Sequence, residues 1–343
     1  MPAANYPDMM NAILVEEFGG PEVLKMKNVP TPKPEPGQAI IKIKAFGINH
    51  AEMHMRRGEW AESMPIIGIE CVGLIVACPG GEFAIGTPVG ALMGGLGRTI
   101  NGSYAEYTSA PVGNVAKLGE TEEDLKKLGL TWEQAAVIPE TDATAWTVLF
   151  RNLEVKAGQS LLIRGATSSF GRAAINLAAQ EGVVVTATTR NADRFEDLKG
   201  LGAKGVLIEG PGLSDRLEGN TKFDAVLELV GNSTLLDSLK TVRRGGRLCL
   251  SGFLGGLAPI SDFNPLLQMA SGVHFSFFDS FVFGSPEFPL SDVPLKDILV
   301  MVAEKRFKAE PARVWRFEEG EVQEAHRVME GSKAGGKMVV VVR

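Results

Sequence analysis

Residues 161–182, LLIRGATSSFGRAAINLAAQEG, join an apolar run to a turn of small residues and a helix-like stretch. The turn places Ala166, Ser168 and Gly171 at the spacing of the dinucleotide-binding pattern G-x-G-x-x-G, although only the third is glycine. Backbone N–H groups at the helix start would bind phosphate there, and the hydroxyls of Ser168 and Ser169 would add donors. A strand–helix turn without a ligand has similar residues, so the turn alone leaves both interpretations open.

The end of the next apolar run, TATTRNADR, bears on the choice of dinucleotide. NAD-dependent enzymes place Asp or Glu at this point, where it binds the ribose 2′-hydroxyl. This chain has Thr189, Arg190 and Arg194 instead. Arginine binds a 2′-phosphate through charge-assisted hydrogen bonds, whereas a carboxylate would repel it. The pattern therefore favours NADPH over NADH; alternatively, Arg190 and Arg194 are solvated residues at a helix start.

These segments belong to a regular alternation of strand-like and helix-like stretches. Strands are predicted at SLLIRGA, VVVTATTR, GVLIEG, FDAVLELVG and RLCLSGFLGG, with helical segments between them. Such units predict an α/β domain with a doubly wound parallel sheet of the Rossmann type, which we place at residues 136–283. Residues 1–135 instead contain short strand-like segments separated by Pro and Gly, and 284–343 contain two amphipathic helices and a terminal strand.

Length and composition narrow the class of protein. The 343 residues suit about two domains, and a content of 45% hydrophobic and 22% charged residues is typical of a globular protein. A net charge of −6 without a Lys/Arg block argues against nucleic acid or a membrane as the main partner. Cys71, Cys78 and Cys249 form no CxxC pair, which indicates a reduced protein. No signal-peptide or membrane-spanning pattern is present, so we predict a cytoplasmic location, and transport by an unseen targeting signal stays open as the alternative.

Several stretches together resemble the medium-chain dehydrogenase/reductase superfamily, specifically its zinc-free NADPH:quinone oxidoreductase branch, the ζ-crystallin-like proteins. They follow the family's order over nearly the whole chain and include GINHAEMHMRRG, PIIGIECVGLIVA, GSYAEYTSAP, ETDATAWTVL, VLELVGNSTLLDSLKTVRRGGRLCLSGFLGG and GGKMVVVV. The resemblance implies a GroES-like catalytic domain formed by 1–135 and 284–343, a Rossmann domain at 136–283, and an active site in the cleft. It also implies a homodimer through the Rossmann domain, paired by HFSFFDSFVF.

The resemblance further implies a set of cofactor contacts. Thr144 would approach the nicotinamide, and Lys337 would reach the phosphate region. The pyrophosphate would be contacted by Ser168, Ser169, Phe170 and Gly171, and the 2′-phosphate by Thr189, Arg190 and Arg194. The adenosine and ribose side would be lined by Val230, Gly231 and Asn232, and the nicotinamide half by Ser251, Gly252, Phe253 and Leu254.

The same resemblance argues against zinc. Zinc-dependent relatives carry a catalytic Cys where this chain has Asn49, and a His–Glu pair where it has Ile69 and Glu70. The four-cysteine structural zinc loop is also missing. His50 and His54 are four residues apart and could share a helix face, but no further ligands follow at a suitable spacing. We therefore predict no metal site.

Without a Lewis acid, hydride transfer from NADPH needs an acceptor that is already electron-poor, such as a quinone or an α,β-unsaturated carbonyl. Asn49 would hold the substrate carbonyl or the nicotinamide, or would instead cap the helix that begins at His50. By position, Trp60, Thr141 and Phe253 are predicted to line the substrate pocket. No residue is assigned as a catalytic acid, and the proton would come from water.

Two alternative functions remain open. The first is an enoyl-thioester reductase of a polyketide or fatty acid pathway. Related enoyl reductases use a tyrosine in the stretch that here reads MRRGEW, and this chain has none there. The second is a non-catalytic NADPH-binding protein that keeps the fold, which the serines in the glycine-type turn make worth testing.

Overall fold

The structure is a computed structural model that describes residues 6–343. The first five residues, part of the segment in which no signal peptide is predicted, lie outside the described residues. The chain forms two compact units, one of residues up to Ala143 with Ser280–Arg343 and one of Thr144–Asp279. The division at Ala143 falls inside the helix Pro139–Thr147, whereas the boundary predicted at residue 135 precedes that helix. Within residues 6–343 no helix is long and apolar enough to cross a membrane.

The strands are numbered in chain order: β1 (Met9–Val15), β2 (Leu24–Pro30), β3 (Gln38–Ile48), β4 (Glu70–Ala77), β5 (Pro88–Leu92), β6 (Tyr107–Pro111), β7 (Val115–Lys117), β8 (Ser160–Arg164), β9 (Val184–Thr189), β10 (Gly205–Ile208), β11 (Phe223–Glu228), β12 (Val242–Leu250), β13 (His274–Phe277), β14 (Arg313–Arg316) and β15 (Met338–Val341).

The α-helices are numbered in the same way: α1 (His50–Arg57), α2 (Glu122–Lys127), α3 (Trp132–Ala135), α4 (Pro139–Thr147), α5 (Ser169–Gln180), α6 (Phe195–Gly200), α7 (Leu213–Arg216), α8 (Asn232–Thr241), α9 (Pro265–Gln268), α10 (Leu295–Ala303) and α11 (Glu319–Glu330).

The unit Thr144–Asp279 is built on a six-stranded sheet in the order β10-β9-β8-β11-β12-β13, and every pair of neighbours is parallel. The chain runs outward from β8 to β9 and β10, then returns to β11 on the other side of β8. The strand order therefore reverses between β8 and β11, and ligands of doubly wound sheets bind outside the carboxyl ends at such a point. The predicted Rossmann-type architecture is confirmed.

The core of this unit explains why its strands read as continuous apolar runs. Leu162 of β8, Val226 of β11 and Leu248 of β12 are all fully buried. Leu235 and Leu239 of α8 pack against the same cluster. Because helices cover a parallel sheet, its central strands lose the polar–apolar alternation of a strand with one solvated face.

The other unit is β-rich and contains a sheet in the order β14-β15-β3-β4-β5-β7, with β6 also paired to β3. The long strand β3 runs through its centre, and β1 and β2 form a separate antiparallel pair. The C-terminal strand β15 pairs antiparallel with β3, with Met338 opposite Ile48. The segment after Ser280 thus completes the β-rich unit begun by the N-terminal part.

A buried polar cluster ties α11 to α1 within this unit. The Tyr104 hydroxyl lies 2.9 Å from Nε2 of His326, and Nε of Arg56 donates to Nδ1 of His326 over 3.3 Å. Arg56 also forms an ion pair with Glu330. Burial and the neighbouring Arg56 lower the pKa of His326 to about 3, so this histidine is neutral and structural.

Candidate functional site

Four loops follow the carboxyl ends of β8, β9, β11 and β12 in the Rossmann-type unit. Since these strands are parallel, the loops 165–168, 190–194, 229–231 and 251–254 share one edge of the sheet. Apart from Thr144 and Lys337, every predicted cofactor contact lies in these loops or directly beside them. Thr144 is buried within α4.

The first loop has the backbone geometry of a phosphate-binding turn. Gly165 adopts a left-handed φ of 76°, and a Cβ added at Gly171 would lie 2.6 Å from Cα of Ala166. Glycine at 171 therefore allows α5 to start close against β8, which is the role of the third glycine in dinucleotide-binding turns. The backbone N–H groups of Ser169 and Phe170, in the first turn of α5, have no acceptor within residues 6–343.

The hydroxyl of Ser168 is used inside the turn. It donates to the carbonyl of Gly165 over 2.9 Å and accepts the N–H of Gly171 over 3.1 Å. Ser168 is therefore the N-cap of α5, and its single proton is already engaged. The anion-binding donors that the turn leaves open are the amides of Ser169 and Phe170. The predicted contact of the Ser168 hydroxyl with pyrophosphate stays a prediction.

The loops after β11 and β12 lie so close that glycine is required in both. Gly231 has a φ of 105°, and a Cβ there would lie 2.8 Å from the carbonyl oxygen of Gly252. Val230 accepts a backbone hydrogen bond from Gly255 at 2.7 Å. Side chains also fix these loops, because Asn232 donates to Ala258 O, and Ser251 to Phe278 O, each over 2.9 Å.

The two apolar side chains predicted to lie along the nicotinamide half differ in exposure. Leu254 is 45% exposed. Phe253 is half-buried, and its ring centroid lies 6.1 Å from that of Phe277. Both side chains therefore present apolar surface at the edge of the sheet that carries the four loops.

Cationic side chains gather at the end of β9. Arg190 is exposed, with no ion pair or hydrogen bond to its side chain among the described residues. Arg194 and Arg172 both pair with Asp197, at 2.8 and 2.5 Å. The hydrogen bond from Arg172 lowers the pKa of Asp197 most, so this carboxylate is ionised. The Thr189 hydroxyl accepts from the N–H of Asn191 over 3.2 Å and shapes the turn.

One residue near these loops was missed by the sequence analysis. Arg164, the last residue of β8, is fully buried. Its guanidinium pairs with Glu209 and with Asp237, the latter at 2.8 Å. Burial would lower the pKa of Arg164, but its hydrogen bonds to the Glu209 carboxylate and the negative charge of that group raise the pKa, so the guanidinium stays charged. The signal in the sequence is an arginine within the apolar run LLIRGA.

The predicted residues of the β-rich unit include a second buried polar cluster. Asn49 is the N-cap residue of α1, and its Nδ2 donates to Oε1 of Glu70 over 2.9 Å. Lys337 donates to Oδ1 of Asn49 and forms an ion pair with Glu70. Both the donor and the acceptor side of the Asn49 amide are thereby engaged. The substrate contact predicted for Asn49 and the phosphate contact predicted for Lys337 stay predictions.

Glu52 lies under this cluster and joins α1 to β4. Its carboxylate accepts the backbone N–H of Asn49 over 2.7 Å and that of Ile69 over 3.1 Å. Its side chain is fully buried. Burial outweighs these two hydrogen bonds and raises the pKa of Glu52 to about 7.

Trp60 and Thr141 lie in different surroundings within the same unit. The half-buried Trp60 stacks on His54 with centroids 5.3 Å apart and meets Phe281 edge to face at the same distance. The guanidinium of Arg98 sits 3.9 Å from the centroid of the Phe281 ring. Thr141 is buried, and its hydroxyl has no hydrogen-bond partner in the described chain.

Among residues 6–343, no group of three or more His, Cys, Asp and Glu side chains is arranged to hold a metal ion. Cys71 and Cys249 are buried free thiols, and burial raises the pKa of both. Protonated buried thiols are poor metal ligands.

Comparisons with known proteins agree with this architecture. A family model described as "Alcohol dehydrogenase GroES-like domain" matches residues 35–120, and one described as "Zinc-binding dehydrogenase" matches residues 170–291. A quinone oxidoreductase of Pongo abelii is 31% identical over 271 residues, which cover 76% of this chain and 78% of the relative.

Solved structures show the same likeness over the whole chain. The quinone oxidoreductase from Coxiella burnetii is 25% identical with a TM-score of 0.80, covering 98% of this chain and 100% of that one. A mycobacterial protein solved in complex with NADPH is 27% identical with a TM-score of 0.81, covering 97% and 99%. The predicted GroES-like and Rossmann parts are thereby confirmed. The chain belongs to the medium-chain dehydrogenase/reductase superfamily, in its ζ-crystallin-like quinone oxidoreductase family, and is an oxidoreductase.

Proposed function

We propose that the protein is an NADPH-dependent reductase that transfers a hydride, without zinc, to a quinone or an α,β-unsaturated carbonyl. The observation that carries the proposal is the arrangement of the turn 165–171. Its backbone amides at Ser169 and Phe170, and the cation of Arg190 at the end of the neighbouring strand, have no partner among residues 6–343 and are available to an anion. Pyrophosphate and 2′-phosphate are the two anions of NADPH that such a pair of sites fits.

Different residues of the chain would bind different parts of NADPH. The amides at the start of α5 would hold the pyrophosphate, helped by the helix dipole. Arg190 would bind the 2′-phosphate, and Arg194 would join it if the phosphate displaced Asp197 from one of its two arginines. When bound, NADPH would supply the hydride. Val230, Gly231 and the loop 251–254 would then orient the ribose and the nicotinamide.

The proposal that zinc takes no part rests on the residues where zinc-dependent relatives carry ligands. The side chain of Ile69 has no ligating atom. The side-chain amide of Asn49 is already hydrogen-bonded to Glu70 and to Lys337. The cation next to Glu70 is the ammonium of Lys337, and two cations would repel each other there. Substrates that depend on Lewis-acid polarisation, such as simple alcohols, are therefore poor candidates, and electron-poor acceptors remain.

We also propose that the protein is a homodimer paired through β13. This strand lies at the outside of the six-stranded sheet, so one of its edges has no partner strand in the described chain. Phe275 and Phe277 on it are 38% and 55% exposed. Pairing of two copies would satisfy the open edge and cover both rings.

The test is NADPH and NADH oxidation with a panel of quinones and enones, run beside binding of both dinucleotides. We expect turnover of at least one quinone or enone and preference for NADPH. Tight NADPH binding without turnover of any quinone or enone would contradict the proposal. Faster turnover of enoyl thioesters than of quinones would support the enoyl-thioester reductase alternative.

A further inference from the structure

Arg164 occupies an unusual place for a charged side chain. It ends β8, the strand next to the point where the order of the parallel sheet reverses, and its side chain is 0% exposed. A guanidinium is stable in the protein interior only when acidic groups balance its charge and acceptors bind its N–H donors. Its partners come from both sides of β8, and two of them, Glu209 and Ser238, lead by further hydrogen bonds to different loops at the carboxyl edge.

On one side the path leads back to the small-residue turn. Arg164 Nε donates to Oε2 of Glu209 over 3.1 Å. The hydroxyl of Thr188 donates to the same carboxylate over 2.6 Å and accepts the backbone N–H of Gly165 over 3.2 Å. Thr188 directly precedes Thr189 at the end of β9. The position of Gly165 is thereby tied to the end of β9.

On the other side the path leads to the loop after β11. Nη1 of Arg164 donates to Oγ of Ser238 over 3.0 Å, and that hydroxyl donates to the buried carboxyl group of Glu228. The other oxygen of Glu228 accepts the backbone N–H groups of Val230 and Gly231, over 2.7 and 2.9 Å. Hydrogen bonds therefore connect the loop 229–231 to the same guanidinium as the turn after β8.

We propose that Arg164 and Thr188 are positioning residues for the dinucleotide, holding the turn after β8, the end of β9 and the loop after β11 in one fixed arrangement. This rests on the proposed function, since it concerns how the loops meet the cofactor. The residues themselves touch no cofactor, because Arg164 is fully enclosed. Their effect is to lower the free energy needed to order three loops when the dinucleotide binds.

The geometry requires arginine and a hydroxyl at these two positions. The planar guanidinium reaches Glu209, Asp237 and Ser238 at once, which the single ammonium of lysine does not match. The Thr188 hydroxyl has one proton, which goes to Glu209, so its lone pair is directed at Gly165.

Thr188→Val is the main test variant, because it removes the hydroxyl link, keeps the shape and leaves no buried charge without its partner. Thr186→Val is the matched control on the same face of β9, since the Thr186 side chain makes no hydrogen bond within residues 6–343. Thr188→Ser keeps a hydroxyl at position 188, and Arg164→Lys tests whether the several donors of the planar guanidinium are needed. Each is measured for the NADPH dissociation constant, NADPH KM, kcat and melting temperature.

Thr188→Val loses both hydrogen bonds of the Thr188 hydroxyl, and the one from Gly165 is the bond that ties the turn to β9. We expect the loss of that tie to raise the NADPH dissociation constant about fivefold. Arg164→Lys should raise it about tenfold or more. KM for NADPH should rise by a similar factor in each variant, whereas kcat at saturating NADPH should change less than about twofold. Thr186→Val and Thr188→Ser should bind within about twofold of the wild type.

A lower melting temperature with an unchanged NADPH dissociation constant in Thr188→Val would overturn the inference, because it would show a purely structural role. Equal dissociation constants for Thr188→Val and Thr186→Val would do the same. A wild-type protein that binds neither NADPH nor NADH would overturn the proposed function together with this inference. The two failures are therefore distinguishable from the wild-type binding alone.

Discussion

Lys337 and Glu70 form an ion pair inside the β-rich unit, with side chains 2% and 0% exposed. Asn49 bonds to both members of the pair, and Glu70 also accepts the backbone N–H of Glu140 over 2.8 Å. The pair joins the residue before β15 to the first residue of β4. Removing one member would leave the other charge enclosed without its partner, which is far more destabilising than the loss of a surface pair.

Lys337→Met should therefore lower the free energy of unfolding by about 3–5 kcal/mol. The double variant Lys337→Met/Glu70→Gln removes the stranded charge and should recover part of that loss. The control is Lys25→Met, whose exposed pair with Glu319 should contribute less than about 1 kcal/mol. Urea unfolding of the four proteins measures this, and equal losses for Lys337→Met and Lys25→Met would contradict it.

Much of the fold could be predicted because its signals are local. The apolar runs of β8, β9 and β11 and the small residues before α5 mark a parallel sheet without knowledge of any contact. Glycine is required at position 171 because an added Cβ would lie 2.6 Å from Cα of Ala166, and that requirement shows in the sequence as a glycine at the expected spacing.

The polar clusters could not be predicted because their members are far apart in the chain. Lys337 meets Glu70 across 267 positions, and Arg164 meets Glu209 and Asp237 across 45 and 73. No spacing rule relates such residues. Ser168 shows a different limit: its residue type suits both a phosphate donor and a helix cap, and only the atoms around it show that its hydroxyl caps α5.

Arg190→Ala tests the assignment of the 2′-phosphate site. We expect it to weaken NADPH binding about tenfold or more through loss of a charge-assisted contact, while NADH binding stays within about twofold. Arg244→Ala is the control, because this exposed arginine lies near the amino end of β12, whereas the loop 251–254 follows the carboxyl end of that strand. The measurement is the dissociation constant of the wild type and of each variant for NADPH and for NADH. Unchanged preference in Arg190→Ala would refute the assignment.

The buried carboxyl group of Glu52 predicts a pH dependence of stability. Its pKa rises from 4.5 in the unfolded chain to about 7 in the folded protein, so folding favours the protonated form. This contribution is fully present below pH 4.5 and is lost as the pH rises through 7. The shift amounts to about 3 kcal/mol.

Glu52→Gln stays neutral at every pH and should flatten this dependence. Relative to Glu52→Gln, the wild type should lose stability between about pH 5 and pH 8. Glu17→Gln, at an exposed position, should follow the wild-type curve. Chemical unfolding at several pH values measures the difference, and parallel curves for the wild type and Glu52→Gln would show that Glu52 does not titrate in this range.

Gly171→Ala tests the packing of α5 against β8. The added Cβ would meet Cα and C of Ala166 at 2.6 and 2.8 Å, and because these are backbone atoms the helix start must move. We expect a loss of about 1–3 kcal/mol in the free energy of unfolding. NADPH binding should weaken as well, because the amides of Ser169 and Phe170 move with the helix.

Gly320→Ala is the matched control for this change, because a Cβ at Gly320 in α11 meets nothing within 4 Å. It should be neutral or slightly stabilising, since alanine favours helix over glycine by up to about 1 kcal/mol. If Gly171→Ala keeps both wild-type stability and wild-type NADPH affinity, the close approach of α5 to β8 is not required. The turn would then bind phosphate without the contact that the glycine at 171 makes possible.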